Sequence, residues 1–188
     1  DPAILSEKLG KMAFEIHQRA NGIDDTPVTP HSPDEMKSIG RSTTLPRDIT
    51  DLKEAKKVIM ELSEDIAMSA RRHRKKGRTV QITIKYSDFK TITRQTRVFP
   101  TNLARDIMQA GFRLLENNWN RFRPVRLLGI SISGFEDDCS DQISLFDQQD
   151  TGRDRVKVEK LEIALDRIRQ KYGPDKISRA ALIRKEDK

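Results

Sequence analysis

Two groups of residues in this chain are equipped for recognition chemistry. The first is Gln142-Ile143-Ser144-Leu145-Phe146, an apolar pair at the end of a short motif on an acidic, irregular background. Glu136-Asp137-Asp138 and Asp141 precede it, and Asp147-Gln148-Gln149-Asp150-Thr151-Gly152 follows it. No amphipathic period places Leu145 and Phe146 in a core, so the segment suits an apolar pocket on a partner. Five residues also leave open that the pair folds back on its own domain. The second group is basic: Arg71-Arg72-His73-Arg74-Lys75-Lys76-Gly77-Arg78, in a chain of net charge +7. Clustered positive charge points to a polyanion, nucleic acid first, against the alternative of a solvated charge run.

Residues for catalysis are harder to assemble. His17, His31 and His73 lie far apart, and none has metal-ligand spacing with cysteine or carboxylates. Glu136-Asp137-Asp138 is rich enough in carboxylates for a two-metal site. It sits in a connecting segment rather than on a rigid element, which weighs against that use. A phosphate-binding glycine loop is absent. Cys139 is the only cysteine, so there is no disulfide framework and no thiolate metal site, and a reducing intracellular setting is expected. No apolar run approaches transmembrane length. The start at Asp1-Pro2, without Met, suggests a fragment of a longer protein.

The elements that must position these groups follow from periodicity. With 188 residues, 35% hydrophobic and 35% charged, the chain has material for small cores only. Residues 6–21 read as one helix capped by Ser6 and stopped by Gly22. Residues 22–36, with Pro27, Pro30 and Pro33, read as an extended linker. Residues 37–47 read as a strand closed by Pro46. A long helix with capping-box spacing at Asp51 and Glu54 follows, carries Leu52, Ala55, Ile59, Leu62, Ile66 and Ala70 on one stripe, and is ended by Gly77.

Val80 to Tyr86 alternates cleanly. Ser87 to Lys90 is a turn, and Thr91 to Phe99 is the return strand closed by Pro100. Thr101 or Asn102 caps a second helix bearing Leu103, Ile107, Ala110, Leu114 and Leu115, and Pro124 opens a last strand, Val125 to Phe135. The order β-α-β-β-α-β is the split-βαβ pattern of an α+β fold, with a four-stranded antiparallel sheet and both helices on one face. The open face is expected to show Gln81, Thr83, Lys85, Thr93, Gln95, Arg97, Arg126, Ser131 and Ser133, with the strand phase near Leu127-Leu128-Gly129 left open by a potential bulge. Hydroxyls, amides and arginines suit a phosphate backbone. RNA recognition would need stacking aromatics there, and Tyr86 falls on the apolar phase. A further helix spans Arg153 to Tyr172 with Leu161, Leu165, Ile168 and Tyr172 on a stripe, and Ile177 to Ile183 reads as a short apolar tail with strand character.

Four features together resemble one family. Lys8 to Asp24, ending Arg19-Ala20-Asn21-Gly22-Ile23-Asp24, resembles the end of a thumb domain. Lys37-Ser38-Ile39-Gly40-Arg41-Ser42 resembles the first strand of a little finger. Thr93-Arg94-Gln95-Thr96-Arg97 and Val125 to Ile130 resemble its later strands. Gln142 to Phe146 falls where the family carries its sliding-clamp peptide. The chain is therefore similar to the C-terminal part of bacterial Y-family DNA polymerases, the DinB/polymerase IV group and its UmuC and ImpB/MucB/SamB relatives.

The resemblance implies the following division: residues 1–22 as the end of the thumb, 23–36 as a linker, 37–135 as a little-finger DNA-binding domain, 136–152 as an acidic segment with the clamp peptide, and 153–188 as a C-terminal helix and tail. It implies that Lys11, Lys37, Ser38, Arg41, Ser42, Thr43, Thr93, Arg94, Gln95, Arg97, Arg126, Ser131 and Ser133 contact primer–template duplex. It also implies that Gln142, Ile143, Ser144, Leu145 and Phe146 engage a sliding clamp. The parent activity implied is Mg²⁺-dependent translesion nucleotidyl transfer in DNA repair by a monomeric, cytoplasmic enzyme with no membrane partner. The palm and fingers that carry it match nothing in this sequence, so no catalytic residue, metal or cofactor is expected in this part. A freestanding ferredoxin-like nucleic-acid-binding adaptor is the alternative, and a complete enzyme using the acidic cluster is a third reading.

Overall fold

The computed structural model describes residues 2–28, 36–135, 152–173 and 176–182. The chain divides into two compact units, residues 1–35 and 36–188. In the first, α1 (Pro2–Leu9) and α2 (Met12–Ala20) replace the single helix expected over 6–21. The break is at Gly10, whose φ of +61° is a left-handed conformation that glycine adopts without a Cβ penalty. Ser6 therefore lies inside α1, where its carbonyl accepts from the Gly10 N–H at 3.0 Å, and does not cap the helix as expected. The C-terminal stop holds: Gly22 is left-handed and the Ile23 N–H returns to the Gln18 carbonyl at 2.9 Å. The linker expected after it falls partly on residues 29–35, outside the described residues.

The second unit is built as β1 (Ser38–Ile49), α3 (Leu52–Arg72), β2 (Gly77–Tyr86), β3 (Thr91–Thr101), α4 (Ala104–Asn118), β4 (Val125–Phe135) and α5 (Gly152–Tyr172). The sheet order is β1-β4-β2-β3, and every neighbouring pair is antiparallel. This is the α+β arrangement that the element order implied. Two strand ends move. β1 runs through Pro46 and β3 runs through Pro100. Both are edge strands, where a missing N–H costs no ladder bond on the free side, and each proline falls in an irregular stretch of register.

The helix caps also differ in detail. Asp51 caps α3 by accepting from the Lys53 N–H at 3.1 Å, but Glu54 pairs with Arg47 at 2.7 Å instead of closing a capping box. α3 stops at Arg72, where Lys75 N–H reaches back to the Ala70 carbonyl and Arg74 turns left-handed. Gly77 opens β2 rather than ending α3. It is needed there because a Cβ would stand 3.1 Å from the Ser133 carbonyl oxygen and 3.2 Å from Ile132.

The core lies between one sheet face and α3 and α4. Ile59, Ile66, Ile107 and Leu115 from the helices meet Val80, Ile82, Ile84, Leu128, Ile130 and Ile132 from the sheet. Alternation in β2 is strict: Val80, Ile82, Ile84 and Tyr86 are buried, while Gln81, Thr83 and Lys85 turn to the other face. Ser63, fully buried on α3, donates to the Ile59 carbonyl at 2.6 Å, so the core carries its hydroxyl without an orphaned group. Gly111 lets α4 close on both layers, since a Cβ there would stand 2.8 Å from Ile130 Cδ1 and 2.9 Å from Ile59 Cγ2.

α5 departs most from expectation. Its stripe of Leu161, Leu165, Ile168 and Tyr172 does not face the core; Leu161 and Tyr172 are more than half exposed. A charged seam faces inward instead, with Glu162 at 7% exposure. Gly173 ends α5 at a φ of +102°, and residues Ala180–Leu182 form a single 3-10 turn where the sequence suggested strand character.

Gly111→Ala tests the close contact of α4. Alanine gains about 1 kcal/mol in helix propensity, but overpacking two isoleucines costs about 1–3 kcal/mol. We expect a net loss of about 1 kcal/mol, read as a lower urea midpoint at unchanged m-value.

Candidate nucleic-acid interface

Residues that face each other across antiparallel strands point to the same side of a sheet, so the register sorts every candidate. Four rows cross the face that α3 and α4 leave open. They are Ser38, Ser133, Thr79 and Arg97; Gly40, Ser131, Gln81 and Gln95; Ser42, Gly129, Thr83 and Thr93; and Thr44, Leu127, Lys85 and Thr91. None of these residues is acidic. Apart from Leu127, the β1 and β4 half is a floor of small side chains, while the β2 and β3 half carries the longer amides and cations.

The floor is held low by sterics. A Cβ on Gly40 would stand 3.0 Å from Ser131 Cβ, and one on Gly129 would stand 3.0 Å from Ser42 Cβ. A phosphate can therefore approach the backbone more closely here than over a branched surface. As an edge strand, β1 also has backbone groups that do not face β4.

At one end of the face the hairpin turn gathers charge. Phe89, at φ +63° and 62% exposed, carries Lys85 Nζ at 5.1 Å and Arg126 Cζ at 5.2 Å from its ring centre. These distances suit cation–π contacts. Behind the turn, Arg123 stacks 4.3 Å from the Tyr86 ring centre and pairs with Asp88. Desolvation pushes the Asp88 carboxyl up, but the bonds from Arg123 and the Lys90 N–H outweigh it and hold Asp88 below its ordinary value. The register slip between Lys85 and Tyr86 places the extra residue at Arg126, which settles the strand phase: Leu127 is on the open face and Leu128 is buried.

Ser38, Ser42, Thr93, Gln95, Arg97, Ser131 and Ser133 thus share the open face, and Arg126 joins it at the turn. Lys37 precedes β1 and is exposed. Three expected residues do not join this face. Arg41 and Arg94 flank Ile130 and Ile82, and Thr43 lies opposite Leu128, so all three belong to the helix-covered side. Arg41 approaches α3: burial pushes the Asp65 carboxyl up, and the Arg41 charge pulls against that shift. The run Lys37 to Thr43 reads as one contiguous motif in sequence, whereas strand alternation splits it between two faces. Lys11 lies between α1 and α2, in the other unit. Gln142, Ile143, Ser144, Leu145 and Phe146 lie outside the described residues.

Sequence reasoning misses Phe89 and Thr79. Thr79 is legible from the alternation that gives Gln81, and only an assumed start of β2 at Val80 hides it. Phe89 reads as a turn residue, and its role depends on cations from two strands that only the fold brings together. The basic run is also divided. Arg71 and Lys76 are paired with α5, while Arg72, His73 and Arg74 are exposed.

The resemblance implied Mg²⁺ in the parent enzyme. Among the described residues no three histidine, cysteine or carboxylate side chains come together as metal ligands. The fit for a catalytic metal therefore fails among them. Among the described residues no helix is long and apolar enough to cross a membrane.

Comparison with known proteins agrees with the geometry. DNA polymerase IV of Clostridium kluyveri is 51% identical over 189 residues, covering 98% of this chain and 47% of the relative. DNA polymerase IV of Alkaliphilus oremlandii is 50% identical over 180 residues, covering 93% of this chain and 45% of the relative. The chain spans about half the length of these curated relatives. A solved complex of beta-clamp processivity factor and little finger domain of PolIV contains a chain 20% identical, covering 58% of this chain and 98% of that one at a TM-score of 0.46, too distant a superposition to carry an argument. The profile of the impB/mucB/samB family C-terminal domain matches residues 36–145, more than half of the chain, and the chain belongs to that family.

Proposed function

We propose that this chain is the DNA-holding and clamp-tethering part of a translesion DNA polymerase. The four acid-free rows of the open face carry the first half of that reading. Hydroxyls, amides and two or three cations over a low floor can hold phosphate oxygens without reading base edges, which suits an enzyme that must follow any template. The relatives' name, DNA polymerase IV, supports the parent activity. The nucleotidyl transfer itself belongs to palm and finger domains that the resemblance places ahead of this sequence.

The second half rests on Gln142 to Phe146. Leu145 and Phe146 fill an apolar cleft on a sliding clamp, and Gln142 orients the peptide through an amide that both donates and accepts. Acidic neighbours keep the peptide soluble, and its individual affinity is on the order of micromolar. A ring that encircles DNA raises the effective concentration of the tethered polymerase, so weak affinity suffices for retention.

Two outcomes follow. Changing Lys85, Arg97 and Arg126 to Ala should weaken duplex binding uniformly across sequences. It should also flatten the slope of log affinity against log salt by about 0.9 for each phosphate no longer neutralised. Arg41→Ala, on the other face, should leave both affinity and slope unchanged. An effect of Arg41→Ala equal to that of the triple variant in fluorescence-anisotropy titrations would remove the open face from the account. For the tether, a labelled 136–152 peptide titrated against the cognate clamp should lose about 2 kcal/mol or more on Phe146→Ala. Equal binding with Leu145 and Phe146 both changed to Ala would show that this peptide is not the tether.

A further inference from the structure

α5 is attached by charge. Arg155, Glu159, Glu162, Asp166 and Arg169 recur at intervals of four and three residues and so share one helix face. Their partners lie on the C-terminal half of α3, just beyond it at Lys76, and at the N-terminal end of α4. Arg71, whose side chain is 6% exposed, donates through Nε and Nη2 to the two oxygens of Asp166 at 2.7 and 3.0 Å. Its Nη1 donates to Glu162 and to the Asn102 carbonyl. Glu162 also accepts the Ala104 N–H at 3.1 Å, the first amide of α4.

Glu159 accepts from Asn102 Nδ2 at 2.9 Å and pairs with Lys76 at 3.2 Å. Arg155 pairs with Asp106 at 2.6 Å, and Arg169 and Arg179 both reach Glu64 on α3. Glu159, Glu162 and Asp166 are thus all used in the seam, and the apolar stripe of the helix stays largely outside.

We propose that α5 is a releasable strap. Its carboxylates fill an oxyanion site built by Arg71, Asn102 and the amino end of α4, and ionic competition at that site sets whether the strap is docked. The physical grounds are the balance of forces. Desolvating ion pairs cancels much of their attraction, so such a seam is close to break-even. Little apolar area is added to tip it, because Leu161, Ile168 and Tyr172 of the stripe are exposed and Leu165 alone is half-buried. Burial pushes the Glu162 carboxyl up although Ala104 and Arg71 pull it down, so desolvation at this carboxyl is not fully offset. Release bares Arg71 and unpairs the already exposed Lys76 beside Arg72 and Arg74, and opens the first amide of α4. The same site then accepts a free oxyanion such as a phosphate.

The test is hydrogen exchange of the full 188-residue chain. A single undocked helix is marginal in water, so protection of α5 amides reports docking. Raising NaCl from about 0.05 M to about 1 M screens the more exposed pairs of Lys76 and Arg179 and supplies an anion that competes for Arg71 in the released state, and should lower α5 protection about tenfold or more relative to β2. Glu162→Gln should produce a comparable fall already at low salt, with β2 protection intact as evidence that the sheet folds. Leu165→Ala, which trims the stripe and spares the seam, should shift the α5 to β2 ratio by no more than about twofold. The proposal is overturned if α5 keeps its protection at high salt or in Glu162→Gln, or if Leu165→Ala releases it more than Glu162→Gln does.

Discussion

A four-stranded sheet with two helices can cover only one of its faces, and that constraint organises the rest of the second unit. Strand alternation sends Val80, Ile82 and Ile84 into the helix layer and, by the same geometry, sends Gln81, Thr83 and Lys85 outward. The uncovered face therefore cannot be apolar in an isolated domain without becoming a liability. Here its four paired rows are free of acids, polar apart from Leu127, and floored largely by glycine and serine on β1 and β4. Its chemistry is a product of the core's own periodicity: the register that aligns Ile39, Ile132 and Val80 also aligns Ser38, Ser133 and Thr79.

Positive charge is placed sparingly on that face. Lys85 and Arg126 rest on Phe89, and Arg97 sits on an edge strand. Cations held over an aromatic ring keep little rotamer freedom, which lowers what remains to be lost on meeting a phosphate. The exposed arginines Arg72 and Arg74 belong to a different part of the architecture, at the end of α3. A basic net charge thus does not translate into one basic surface; it is distributed between the open face, the seam with α5 and solvent.

Much of the fold is legible in the sequence because its signals are local. The alternation of β2 and the stripes of α3 and α4 each stand alone, and together they order the sheet. What is not legible depends on neighbours. Pro46 and Pro100 look like stops until their strands are known to be edges. Arg41 looks like part of a continuous binding motif until Ile130 is known to stand opposite it. In α5 the apolar period is real but points to the wrong face. The surface available to that helix is the charged junction of α3 and α4, and Arg71 there looks in sequence like one more member of the basic run. The positions Gln142 to Phe146 remain a reading of sequence, since they lie outside the described residues.

Which face of the second unit meets DNA is the claim on which the functional account turns. Backbone amide shifts of isotope-labelled chain during titration with a primer–template duplex measure it directly. The account predicts shifts concentrated on β1, β2, β3 and β4 along the rows from Ser38 to Arg97 and from Thr44 to Thr91, with the Phe89 turn included and with α3 and α4 unmoved beyond their ends. Shifts centred on Arg41, Asp65 and the solvent side of α3, with those rows silent, would contradict it.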